Sequence, residues 1–272
     1  KSKSKSKSKS KSKSKSKSKA KNKHNHNLVN TVTEIRLSPH AHLNHYKLQH
    51  GSISSSHIGA MYVEQQQASN FISHSYSLGA ALARHDTQVR LTGSHADCSL
   101  NGAYLVDGSQ QVDYHTQITH LAPGCNSQQI YKGVVQGHGR AVFNGKVLIQ
   151  PEAQQSNARQ INKNLLLSDK GEVDTKPELQ IYADDVICSH GATVGQLDTL
   201  ALFYLQSRGF SKKEAKACLV YAFVSEVLGH ITNPAMRKFI LLPVITKLNL
   251  LVGGTHDLHP LISTEDGALL CH

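Results

Sequence analysis

The sequence predicts a mainly β fold that ends in a helical segment. Two observations carry this reading. From Leu28 to about His190 apolar and polar side chains alternate with a period of two, broken by Gly, Asn and Ser, and after Gly195 the apolar period lengthens to that of a helix. Short strands with polar corners fit a β-solenoid or a sandwich, and no strict hexapeptide period decides between them.

The elements follow in order. Thr31 to Leu37 reads as a strand. In Val112 to His120 one face carries Val112, Tyr114, Thr116, Ile118 and His120, and the other Asp113, His115, Gln117 and Thr119. Further strands are expected at Ala141 to Gln150 and Leu179 to His190, with Asp169-Lys170-Gly171 as a turn between Leu165-Leu166-Leu167 and Val173. Leu197, Leu200, Ala201, Tyr204 and Leu205 fall at helical spacing, with Gly209 where a helix C-cap stands. Ser211-Lys212-Lys213-Glu214 is a capping box, and Ala215, Cys218, Leu219, Ala222 and Phe223 form the stripe expected of a second helix. Asn233-Pro234 starts a third helix, which Pro243 is expected to end or kink.

The chain of 272 residues has 30 basic against 19 acidic side chains, a formal net charge of +11. Twelve of those lysines lie in the alternating opening tract, Lys1 to Lys23, and without them the two signs nearly cancel. Residues 1–19 hold no apolar side chain, so residues 1–23 read as a solvated low-complexity tail outside the fold. The expected organisation is then a β core over 24–194 and a helical segment over 195–272. A nucleic-acid binder would rest on the tail alone, which lacks Arg and aromatic groups for base stacking.

Five scattered cysteines, Cys98, Cys125, Cys188, Cys218 and Cys271, form no CxxC pair and favour a reducing compartment. Apolar runs such as Leu219 to Val224 are far shorter than the roughly 20 residues that span a bilayer. The basic N-terminus has no apolar segment after it, so it does not read as a secretory signal. The expected location is cytoplasmic, with no membrane contact.

Motifs for catalysis are scarce. Seven histidines, His24, His26, His40, His42, His45, His50 and His57, crowd the start of the β part without HExxH or CxxC…HxxxH spacing, so surface or structural roles are expected of them. Gly137-His138-Gly139-Arg140 lacks phosphate-loop spacing, there is no GxSxG, and no carboxylate pair announces acid–base work. The sharpest local feature is Asp184-Asp185-Val186-Ile187-Cys188-Ser189-His190-Gly191-Ala192-Thr193. On a strand, Cys188 and His190 share one face about 7 Å apart at Cα. A thiolate and an imidazole so placed suit iron or zinc. The ordinary reading of such a pair is a small buried Cys beside a hydrogen-bonded His.

From about His115 to Glu226 the chain resembles the SufB/SufD family of iron–sulphur cluster assembly proteins of the SUF system. The resemblance is carried by His120-Leu121-Ala122-Pro123, Tyr131-Lys132-Gly133, Val142-Phe143-Asn144-Gly145-Lys146, Asn164-Leu165-Leu166-Leu167-Ser168, Pro177-Glu178-Leu179-Gln180-Ile181 and Tyr204-Leu205-Gln206-Ser207-Arg208-Gly209. Cys188-Ser189-His190-Gly191-Ala192-Thr193 is similar to the SufD branch, since SufB sequences carry His-Glu-Ala-Thr at the matching place. The family carries an N-terminal helical region where this chain has the Lys–Ser tract.

The resemblance implies a right-handed parallel β-helix followed by a C-terminal helical segment. It implies a non-catalytic scaffold subunit that pairs with a SufB-like subunit and docks a SufC-like ATPase, a homodimer being the other assembly it allows. Cys188 and His190 become candidate ligands for transient iron or nascent cluster at the partner interface, with no stably bound cofactor. Leu205 and Phe223 become candidate partner-binding residues of the helical module. A β-helix enzyme acting on a carbohydrate or acyl substrate is the competing class, for which the solenoid offers no acid–base constellation.

Overall fold

The computed structural model describes residues 26–253. The Lys–Ser tract, His24 and Cys271 lie outside them. Twelve strands come first: β1 (Leu28–Leu37), β2 (His42–Gln49), β3 (Ser56–Gln65), β4 (Asn70–Ser77), β5 (Leu82–Leu91), β6 (Asp97–Val106), β7 (Gln111–His120), β8 (Asn126–Val135), β9 (Arg140–Ile149), β10 (Ser156–Leu166), β11 (Glu172–Ile181) and β12 (Val186–Gln196). Three helices follow: α1 (Thr199–Ser207), α2 (Lys212–Leu228) and α3 (Pro234–Leu251).

Odd strands form one six-stranded sheet in the order β1-β3-β5-β7-β9-β11, and even strands form a second in the order β12-β10-β8-β6-β4-β2. Every pairing is parallel, as between β5 and β7 or β6 and β8. The chain therefore winds through six coils of two strands each. An antiparallel sandwich is excluded, and the solenoid is the fold.

Alternation dictates what each coil buries. Val112, Tyr114, Thr116, Ile118 and His120 of β7 all point inward and are at most 4% exposed, while Asp113 faces outward and pairs with Arg84 of β5 at 2.9 Å. The inner rows meet in a continuous core that includes Phe71, Leu100, Tyr104, Ile118 and Phe143. Aromatic rings run through its middle, with centroids 5.7 Å apart for Tyr104–Tyr114, 5.3 Å for Tyr114–Tyr131 and 5.2 Å for Tyr131–Phe143.

One corner of the coil repeats a left-handed residue: His40, Ala68, His95, Gly124 and Gln155 all have positive φ. Four of the five carry a Cβ, which costs about 1–2 kcal/mol each in this conformation. Each is held by a backbone bond to the next coil, such as Ala68 N to Ser94 O at 2.9 Å and Gly124 N to Gln154 O at 2.9 Å.

The helices fold back on the outer face of the even sheet. Tyr76, Ala103, Leu105, Ile130, Val134 and Leu165 supply the sheet side of this second core, and Val220, Val224, Val227, Val244 and Leu248 the helix side. Asp198 caps α1, accepting from Leu200 N at 2.8 Å. Ser211 and Glu214 close the capping box of α2, and Asn233 caps α3 ahead of Pro234.

Three expectations need correction. Leu179 to His190 is not one strand: β11 ends at Ile181, a corner follows, and β12 starts at Val186, so the alternation continued across a bend. The buried face of α2 matches the expected stripe only at its start: Ala215 and Cys218 are buried, but the face continues through Val220, Tyr221, Val224 and Val227, Leu219 and Phe223 being half-buried and Ala222 exposed. Two apolar stripes competed in this segment, and the sheet selects the one holding the β-branched valines. Pro243 does not end α3, which continues to Leu251.

Candidate metal site

Cys188 and His190 lie on β12, the last strand of the even sheet. Among the described residues it pairs with β10 alone, which leaves it an edge strand. The register aligns Cys188 with Ala158, His190 with Gln160 and Ala192 with Asn162. Ala158, Gln160 and Asn162 are buried inner residues of β10. In-register parallel partners share a face, so Cys188 and His190 both belong to the inner row of the last coil, as the alternation requires.

Their surroundings differ. Cys188 is half-buried and packs against the small apolar cluster of Val147, Ile149, Ala153, Ala158 and Ala183. Burial pushes its thiol up from the ordinary value, partly offset by a hydrogen bond with the Ala158 backbone. His190 is exposed, since no further coil of the described residues lies over it. Among the described residues no group of three His, Cys, Asp or Glu side chains is placed to hold a metal ion. The chain thus offers two donors, not a closed shell.

Sequence reasoning missed Gln160. It is fully buried directly beneath His190, yet neither its Nε2 nor its Oε1 has a hydrogen-bond partner. Buried amides are rarely left so. The signal was available in the polar side chains at alternate positions Ser156, Gln160, Asn162 and Asn164 of β10. The last two are satisfied: Asn164 Nδ2 donates to Asn162 Oδ1 at 2.6 Å, and Tyr104 Oη donates to Asn164 Oδ1 at 2.5 Å.

Both helical candidates, Leu205 and Phe223, are half-buried. Phe223 packs against the helical core with the Lys132 ammonium 4.5 Å from its ring centre. The apolar side chains that α1 presents to solvent are Leu200 (75% exposed), Phe203 (68%) and Tyr204 (55%).

The family model for the SufBD core domain of SUF system FeS cluster assembly matches residues 6–223. The chain belongs to the SufB/SufD family. A SufB/SufD relative from Escherichia coli (strain K12), iron-sulfur cluster assembly protein SufD, is 37% identical over 207 residues, covering 76% of this chain and 49% of that protein. The SufBD family protein slr0076 of Synechocystis is 39% identical over 208 residues, 76% of this chain and 46% of that one. Protein ABCI7, chloroplastic, of Arabidopsis thaliana is 37% identical over 209 residues, 76% of this chain and 44% of that one. The chain spans about half the length of the curated relatives it matches. No helix among the described residues is long and apolar enough to cross a membrane.

Proposed function

We propose that this chain is a SufD-like, non-catalytic subunit of an iron–sulphur cluster assembly scaffold in the cytoplasm. A SufB-like subunit adds to the open edge of its last coil, and a SufC-like ATPase docks on its helices. The observation that carries the reading is the placement of Cys188 and His190 side by side on the inner row of an edge strand, above the unpartnered Gln160 amide. Backbone N–H and C=O groups along such an edge are a template for a strand from another chain.

Iron or nascent cluster is cargo in this scheme, so the site must hold it and let it go. Cys188 supplies a soft donor and His190 a borderline one, and the partner completes the shell. A thiol whose pKa is raised by burial gives up its proton reluctantly, so metal competes with that proton and the hold stays reversible. The solvent-facing Leu200, Phe203 and Tyr204 of α1 are the surface we assign to the ATPase.

Co-expression of the full chain with SufB and SufC of the same organism, followed by affinity recovery, tests the reading. Recovery of all three chains in one complex is the expected result. Recovery of this chain without either partner overturns it.

A further inference from the structure

At the end of the solenoid opposite Cys188, the first coils surround a cavity of about 390 Å³ that β1, β2 and β3 line. Its titratable lining includes Lys47, His45, His50, His57 and His85, accompanied by Ser and Thr hydroxyls, and among the described residues it contains no Asp or Glu. No residue of β12 lines it.

Three strands aim polar atoms at one spot. The point that a Cβ on Gly59 would occupy lies 2.6 Å from Lys47 Nζ, 3.1 Å from Thr31 Oγ1 and 3.2 Å from His57 Nε2. Those atoms come from β2, β1 and β3, and they meet over the Gly59 backbone, where no side chain keeps them apart. His57 Nε2 and His85 Nδ1 are buried without a hydrogen-bond partner, and His85 is only 2% exposed. Two other ring nitrogens of the lining are engaged, His45 Nδ1 3.0 Å from Ser73 Oγ and His85 Nε2 2.8 Å from Ser77 Oγ.

Charge completes the case. Burial alone moves the Lys47 ammonium, down to about 8, with no carboxylate to oppose it. Burial, followed by the neighbouring Lys47, also lowers His45, His57 and His85. A half-buried ammonium without a counterion and imidazole nitrogens without partners are uncompensated costs unless an acceptor of negative charge joins them. We propose that this cavity binds one small tetrahedral oxyanion of the phosphate or sulfate class, held by Lys47 with Thr31 and His57, which line it.

Isothermal titration of the full chain at neutral pH with sodium phosphate, sodium sulfate and, at matched ionic strength, sodium chloride tests this. The expected result is saturable binding of phosphate or sulfate at one ion per chain, with no such binding of chloride; the tighter of the two oxyanions is the ligand. Lys47→Met should weaken it at least tenfold. Gly59→Ala, whose methyl group would push the Lys47 ammonium aside, should weaken it several-fold with an unchanged melting curve. Lysines of residues 1–23 are present in all three proteins, so their diffuse attraction for anions cancels. Phosphate and sulfate also stabilise proteins generally by exclusion from the surface, and that effect is shared with Lys47→Met. Without oxyanion, Lys47→Met should melt no lower than the parent, because it removes an unpaired buried charge. Equal oxyanion binding by parent and Lys47→Met, or equal response to chloride, overturns the proposal.

Discussion

Lys132 of β8 donates its ammonium to the Glu226 carboxylate of α2, and this contact ties the solenoid to its helices. The two ends of the pair are unlike: the Lys132 side chain is 2% exposed and that of Glu226 53%. Lys132 also donates to the Phe223 carbonyl at 2.8 Å. Removing the acid strands a buried charge, whereas removing the base leaves an exposed carboxylate that water can solvate. Glu226→Ala should therefore cost about 1–2 kcal/mol, and Lys132→Met should cost less than Glu226→Ala. Urea midpoints of both variants check the order; a costlier Lys132→Met would mean that the pair, not the desolvated ammonium, dominates.

Glycine positions in the solenoid divide sharply. A Cβ on Gly133 would meet Tyr104 Cε2 at 2.1 Å and Asn164 Oδ1 at 2.3 Å, whereas one on Gly191 would meet nothing within 4 Å. Gly133→Ala should destabilise by about 1–3 kcal/mol through overpacking, and Gly191→Ala should leave the melting temperature unchanged. Thermal melts of the two variants side by side make the comparison.

Acid should loosen this protein before its carboxylates titrate. His74, His85 and His120 are buried, and burial holds them down to about 4, 2 and 4. Unfolded, each takes a proton near pH 6.5. The folded state refuses that proton until far lower, so the stability these residues contribute is complete above about pH 6.5 and is lost as pH falls below it, by up to about 1.4 kcal/mol per unit for each. Melting temperature should fall between pH 7 and 5, and less steeply in His120→Gln. A flat profile over that range would contradict neutral burial.

Cys188→Ser and His190→Ala separate ligand chemistry from packing. His190 is exposed and Cys188 only half-buried, so both variants should fold, with losses of about 1 kcal/mol or less. Both should still associate with the partner subunits and fail to support cluster formation. Melting temperature, complex recovery and cluster content measured on the same preparations check this, and full cluster content in both would remove the pair from the mechanism.

Docking and folding should separate on the helices. Phe203→Glu alters an exposed side chain of α1 and should change stability by no more than about 0.5 kcal/mol while abolishing recovery of the ATPase. Val224→Asp, at a fully buried position, should unfold the helical module, and Leu205→Asp or Phe223→Asp should fall between the two. Pull-down and circular dichroism on the same samples distinguish them.

How much of this was legible in the sequence depended on periodicity. The inner and outer faces of β7 follow from alternation alone, and the caps of α2 and α3 from Ser211, Glu214 and Asn233. The solenoid was hidden because its coils differ in length: the register advances from Ser56 to Leu82 between β3 and β5, but from Arg140 to Glu172 between β9 and β11. A period that slips from 26 to 32 residues leaves no fixed repeat to detect. The shared row of Cys188 and His190 was readable, since spacing by two on a strand suffices. Their edge position and the unpartnered Gln160 were not, because both depend on which strand comes last and which lies beneath. The cavity around Lys47 was equally invisible, as its three donors are distant in sequence and meet only through the register of β1, β2 and β3.

The strap of α2 and α3 also sets how the molecule comes apart. In a solenoid each coil touches only its neighbours, so unfolding is a one-dimensional process that starts at whichever end is loosest. The helical core takes side chains from β4, β6, β8 and β10, with Tyr46 and Leu48 of β2 packed against it, and none from β11 or β12. Those helices couple the first five coils into a single cooperative unit, and the final coil is left to fray by itself. Amide hydrogens of β12 should thus exchange through local opening long before those of β8, and a partner strand laid along β12 would close that opening. Association and the last step of folding would then be one event at this end of the molecule.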